Sequence, residues 1–157
     1  MPNKQVHIFG GGSGIGRWLA ERIFSITRTT YCYDLSPRHL DLLPKTIRAC
    51  PTDGLGIAEY KDNFRTGDWV VLAVPQPALQ ATVSELVPLL PPGILVIVST
   101  STQRESLRLL REHVPSNCEY LGFHPLFSPT VGSPIGQIAA LIDLDVTKQQ
   151  HQEFMKT

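Results

Sequence analysis

Val6-His7-Ile8-Phe9-Gly10-Gly11-Gly12-Ser13-Gly14-Ile15-Gly16 is the stretch that decides how the rest of the chain reads. Val6 to Phe9 suits a short buried strand, and the glycine-rich run behind it requires a tight turn. From Arg17 to Ile26 the sequence predicts a helix, because Trp18, Leu19, Ile23 and Ile26 recur at helical spacing and give one apolar face. Strand, glycine turn and helix in that order begin a strand–helix–strand unit.

The pattern continues outward. Thr30 to Tyr33 predicts a second strand, stopped by Asp34. Ser36 is placed to cap a short helix with Pro37 at its first position. Residues 44–68 are weakly patterned, and no strand is assigned there. Trp69 to Val74 is a continuous apolar run closed by Pro75, as in a strand buried on both faces. Leu79, Val83, Leu86, Val87 and Leu90 predict a helix, ended by Pro91-Pro92-Gly93. Ile94 to Val98 repeats the doubly buried pattern and runs into Ser99-Thr100-Ser101-Thr102. Leu107, Leu109, Leu110 and Val114 suit a further helix, Glu119–Phe123 and Ile138–Ile142 two more strands, and Thr147 the cap of a last helix. Strands alternating with helices imply an α/β fold, a doubly wound parallel sheet with helices on both faces.

In that fold a glycine turn at the start of a helix is backbone chemistry. Glycines let the main chain approach a pyrophosphate, and the unpaired N–H groups and positive dipole of the helix start hold the anion. This makes Gly10, Gly11, Gly12, Ser13, Gly14 and Ile15 candidate cofactor-binding residues of a Rossmann NAD(P)-binding fold. Two registers are open: ending the fingerprint at Gly16 puts Ser13 at the middle glycine, whereas Gly10, Gly14 and Gly16 match the spacing of short-chain dehydrogenases. Asp34 follows Gly16 by about 18 residues, where a carboxylate can accept from both adenosine ribose hydroxyls and repel a 2′-phosphate. That favours NAD, while Arg38 nearby leaves NADP open. The short-chain dehydrogenases also need Tyr-x-x-x-Lys. Four residues beyond Tyr31, Tyr33, Tyr60 and Tyr120 stand Leu35, Pro37, Phe64 and His124, so that apparatus is absent.

Composition agrees with one soluble domain spanning 1–157. Lys plus Arg and Asp plus Glu number 14 each, which argues against nucleic acid or an anionic membrane as the main partner. Cys32, Cys50 and Cys118 are odd in number and widely spaced, suggesting neither a metal site nor a disulfide framework and a reduced, cytoplasmic setting. Met1 to Gln5 is polar, without the pattern of a signal peptide.

The segment Leu121-Gly122-Phe123-His124-Pro125-Leu126-Phe127-Ser128-Pro129 resembles the His-Pro-Met-Phe-Gly-Pro loop of prephenate and arogenate dehydrogenases. The glycine turn, Ala73-Val74-Pro75, Pro-Pro-Gly and the Ser/Thr run fit the same family in order, from about Lys4 to Ile142. The resemblance implies a dehydrogenase of tyrosine biosynthesis, an oxidoreductase whose oxidative decarboxylation passes hydride to a nicotinamide. By that likeness His124 accepts a hydrogen bond from the substrate's ring hydroxyl and Ser101 orients histidine and substrate. Val74, Pro75, Ser99 and Thr100 would lie beside the cofactor, and prephenate or arogenate would be the substrate. The sequence departs from the family at Val98 and Gln103, where Asp and Lys are usual, and at Ser128, where glycine is usual. The family's helical C-terminal domain, which carries most of its dimer interface, has no counterpart in the sequence. The expectation is therefore a homodimer or a partner chain supplying that domain, and an exposed apolar patch near the C-terminus. Two other readings stand beside this one: a dinucleotide-binding module without activity, and a dehydrogenase of the same superfamily acting on another hydroxy acid. His7, His39, His113 and His151 read as structural or solvent-facing, and Arg104, Arg108 and Arg111 as one solvated helix face.

Overall fold

The computed structural model describes residues 4–54 and 56–157. Met1 to Asn3, part of the polar lead-in, lie outside them, as does Leu55 within the weakly patterned stretch. Seven strands form one sheet: β1 Val6–Phe9, β2 Thr30–Asp34, β3 Arg48–Pro51, β4 Trp69–Leu72, β5 Leu95–Val98, β6 Glu119–Pro125 and β7 Ala139–Ile142. Their spatial order is β3-β2-β1-β4-β5-β6-β7. Every neighbouring pair is parallel except β6 and β7, which run antiparallel. This is a Rossmann-type doubly wound sheet with one antiparallel edge strand.

The apolar runs alternate between two cores. On β1, β4 and β5, Val6, Ile8, Trp69, Val71, Leu95 and Ile97 point to one face, and Phe9, Val70, Leu72, Val96 and Val98 to the other. The first face is covered by α1 (Gly14–Arg22) through Trp18 and Leu19, by α2 (Pro37–Leu40) through Leu40, and by α5 (Gln149–Phe154) through Phe154. The second is covered by α3 (Gln76–Leu86) through Leu79, Val83 and Leu86, and by α4 (Gln103–His113) through Leu107 and Leu110. Each such fully buried aliphatic side chain contributes about 1.5–3 kcal/mol of transfer free energy.

The second core holds a buried polar network around Asp68. The Asp68 carboxylate accepts from the backbone N–H groups of Gln5 and Arg65, both at 2.9 Å, and from Gln5 Nε2 at 3.1 Å. His7 bridges Asp68, at 3.0 Å from Nε2, to the Tyr33 hydroxyl, at 3.1 Å from Nδ1. His7 is therefore structural.

Several local expectations are corrected. The first helix starts at Gly14 and stops at Arg22; a 3-10 turn over Phe24–Ile26 follows, which seats Phe24 in the core and leaves Ile26 exposed. β4 ends at Leu72: Ala73 N–H still donates to Phe9 O at 2.9 Å, but the chain bends at Val74. The unassigned stretch supplies an edge strand, β3, with only Cys50 fully buried. His124 belongs to β6 rather than to a loop, because β7 folds back and pairs Ala140 with it. Thr147 does not cap α5: its N–H and hydroxyl both donate to Asp145 Oδ1, and Lys148 is the cap. Ser36 does cap α2, its Oγ accepting from His39 N–H.

Candidate functional site

Strand order reverses direction between β1 and β4, and in such sheets ligands bind outside the carboxyl ends of the strands at that point. A cleft of about 560 Å³ opens there. Its floor is Gly10 after β1, Asp34 at the end of β2, Ala73-Val74-Pro75 after β4 and Ser99-Thr100-Ser101 after β5. Ser13, Gly14 and Ile15 form one lip.

The glycine turn is built by close approach. Gly10 has φ +78°, and a Cβ there would meet Ala73 O at 2.5 Å. A Cβ on Gly16 would overlap Gly10 O, so the start of α1 sits directly against the end of β1. Gly11 is pressed on the Cys32 side chain and Gly12 on His39 and Asp34. These two do not line the cleft; they pack the turn from behind. Ser13 caps α1 with no side-chain hydrogen bond to its first turn. Ser13, Gly14, Ile15 and Gly16 thus offer backbone N–H groups with no protein acceptor among the described residues.

Asp34 is held from both oxygens. Oδ2 accepts from Gly12 N–H at 3.0 Å and Oδ1 from Ser36 N–H at 2.9 Å. His39 Nδ1 stands 3.8 Å from Oδ1. Arg38, the residue that left NADP open in the sequence, is exposed and not part of the cleft wall, whereas His39 is. Ile57, Thr82 and Glu85 also line the cleft. No local signal marked them, because Ile57 comes from the weakly patterned stretch and the other two from the flank of α3.

Ser99 Oγ is buried at the cleft with no hydrogen-bond partner. A free donor–acceptor in the wall, four unpaired N–H groups at a helix start and a carboxylate at the end of β2 form a set that a dinucleotide would satisfy. The residues present fit that group.

Ser101 lies in the cleft wall, exposed; His124 does not, and is half-buried on β6. They stand on neighbouring strand ends, since Val98 pairs with Gly122. No hydrogen bond joins them, and the His124 side chain makes none among the described residues. Gln103 connects the two stretches. Its Nε2 donates to Thr100 O at 2.8 Å, Phe123 O at 3.2 Å and Val98 O at 3.3 Å. The chain beyond His124 is fixed to α1, with Trp18 Nε1 donating to Val131 O at 2.8 Å and its ring 4.6 Å from that of Phe127. Among the described residues there is no cluster of His, Cys, Asp or Glu suited to a metal ion, and no helix long and apolar enough to cross a membrane.

No family model matches the chain. A curated protein of Methanocaldococcus jannaschii, described as "Probable arogenate/prephenate dehydrogenase", is 24% identical over 142 residues, which cover 88% of this chain and 30% of that protein. The crystal structure of prephenate dehydrogenase from A. aeolicus, in complex with hydroxyphenyl propionate and NAD+, superposes with a TM-score of 0.70 at 20% identity, over 99% of this chain and 56% of that one. The fold is shared more widely: 3-hydroxyisobutyrate dehydrogenase of Mycobacterium tuberculosis gives a TM-score of 0.61 at 12% identity, over 80% of this chain and 42% of that one. The chain spans from under a third to little more than half the length of these relatives. In sequence and in fold, it is similar over nearly its whole length to one part of prephenate dehydrogenases.

Proposed function

We propose that the chain is the dinucleotide-binding domain of a prephenate- or arogenate-type dehydrogenase and that its cleft binds NAD. One observation carries this reading: the unpaired N–H groups at the start of α1 and the Asp34 carboxylate line a single cleft at the reversal point of the sheet. Gly10, Ser13, Gly14 and Ile15 hold the diphosphate, with Gly11 and Gly12 shaping the turn behind them. Asp34 takes the adenosine ribose. Val74, Pro75, Ser99 and Thr100 flank the nicotinamide end. The nicotinamide supplies the hydride acceptor for oxidative decarboxylation.

The chain's own part in the chemistry falls to the β5 and β6 ends. His124 accepts the proton of the substrate's ring hydroxyl, a role suited to an imidazole near neutral pH. Ser101 orients the substrate beside it.

A second reading is a binding module without turnover. It is favoured by His124 lying outside the cleft wall without a hydrogen bond to Ser101. Calorimetric titration with NAD and NADP tests the site itself, and folded protein giving no heat with either would remove both readings. NADH formation with prephenate or arogenate separates them. Under the enzyme reading, His124→Asn abolishes most turnover and leaves NAD affinity unchanged within about twofold. Equal turnover in that variant would refute the role given to His124.

A further inference from the structure

His39 is a cleft residue to which the NAD reading gives no role. His39 sits on α2 with its Cβ against Gly12 and its Nδ1 3.8 Å from Asp34 Oδ1, at the end of the cleft assigned to the adenosine ribose. Asp34 cannot swing aside, because each of its oxygens accepts a backbone N–H. Its charge therefore stays where a 2′-phosphate would come. Arg38 is exposed and off the wall, so His39 is the cleft-lining group able to offset that charge.

We propose that His39 sets which adenosine ribose the cleft accepts. With a neutral imidazole, the Asp34 carboxylate admits a 2′-hydroxyl and repels a 2′-phosphate. With an imidazolium, the pair is locally neutral and the 2′-phosphate gains a cationic donor. Nicotinamide dinucleotides bearing the phosphate thereby become ligands of the same cleft under mildly acidic conditions. Imidazole is the side chain that ordinarily changes charge between pH 5 and 8.

The surrounding charges do not already perform this task. α2 carries Arg38 and is followed by Asp41, both exposed and of opposite sign, while Glu85 of α3, the other carboxylate lining the cleft among the described residues, accepts from Ile57 N–H. On α1, Arg17 is paired with Glu21 at 2.7 Å and donates to Leu42 O. On β3, Arg48 turns to the other face of the sheet, over the Tyr31 ring and onto its hydroxyl. Because the His39 side chain is 47% exposed, solvent screens the effect. The expected size is about tenfold in the ratio of NADP to NAD affinity, equal to about 1.4 kcal/mol.

The 2′-phosphate itself gains a proton near pH 6, in the same direction, so variants must separate the two. The experiment is calorimetry of the full chain with NAD and NADP at about pH 5.5 and about pH 8, on the wild type, His39→Gln and His39→Arg. From pH 8 to 5.5 the affinity ratio should rise about tenfold more in the wild type than in His39→Gln. His39→Arg should hold the high ratio at both pH values. Parallel pH curves for wild type and His39→Gln, or no gain in His39→Arg, overturn the proposal. It rests on the NAD reading, and the two fail differently: no NAD binding anywhere removes both, whereas normal NAD binding with parallel curves removes this one alone.

Discussion

Three glycines of the turn separate two costs that are usually confounded. Gly14 has φ +54° and open space where a methyl group would stand, so Gly14→Ala carries backbone strain alone, about 1 kcal/mol. A Cβ on Gly16 would run into Gly10 O without any left-handed backbone, so Gly16→Ala carries overlap alone, about 1–3 kcal/mol. Gly10 has both, φ +78° and a Cβ only 2.5 Å from Ala73 O. Both contacts are backbone, which yields less readily than a side-chain tip. Gly10→Ala should therefore cost about 2–4 kcal/mol, the sum of the two. For a domain of this size that lowers Tm by roughly 4–16 °C, at about 2–4 °C per kcal/mol. Urea unfolding followed by far-ultraviolet circular dichroism measures the three variants on one scale. The order expected is Gly10→Ala worst and Gly14→Ala mildest. Gly10→Ala within about 0.5 kcal/mol of wild type would refute the close approach of β1 and β4 from which the cleft is argued.

Three further outcomes are expected. Burial pushes the Asp68 carboxyl up, but hydrogen bonds from His7, Gln5 and Arg65 outweigh it and hold the group below its ordinary 3.8. Its contribution is thus complete above that pH and lost as pH falls further; Asp68→Asn should cost about 3 kcal/mol at neutral pH and flatten the acid limb of a urea-midpoint profile. Burial, aided by Lys148 and opposed by Glu119, lowers the His151 pKa from 6.5, and its Nδ1 accepts Asp145 N–H. Stability from docking α5 should therefore be present above pH 6.5 and fall as pH drops below it, a slope that His151→Gln removes in the same unfolding assay. Burial pushes the Cys32 thiol up to about 12 and Cys50 up to about 11, so neither should react with iodoacetamide at about pH 8 until the protein is denatured, as mass spectrometry would show.

Much of the fold was legible because it is written locally. A doubly buried strand must be apolar on both sides, and Trp69 to Leu72 and Leu95 to Val98 are. Ser36 and Pro37 marked α2, and the glycine run marked the first turn. The stretch holding β3 was not legible, because an edge strand buries little and Arg48 and Ala49 can face solvent. Ile26 misled for the converse reason: its spacing suits a helix that the chain ends at Arg22, a choice made by seating Phe24 beneath Trp69.

The sequence by itself determined the strand–turn–helix start, the alternation of elements, and the carboxylate at the end of β2, since each depends on residues close together along the chain. Only tertiary structure decided that Gly11 and Gly12 pack the turn while Ser13 to Gly16 offer free N–H groups, and that His39 rather than Arg38 faces the cleft. It also decided that Gln103 fastens the β5 end to the residue before His124. These are contacts between segments distant in sequence, set by which faces the sheet and helices bury, and no local spacing encodes them.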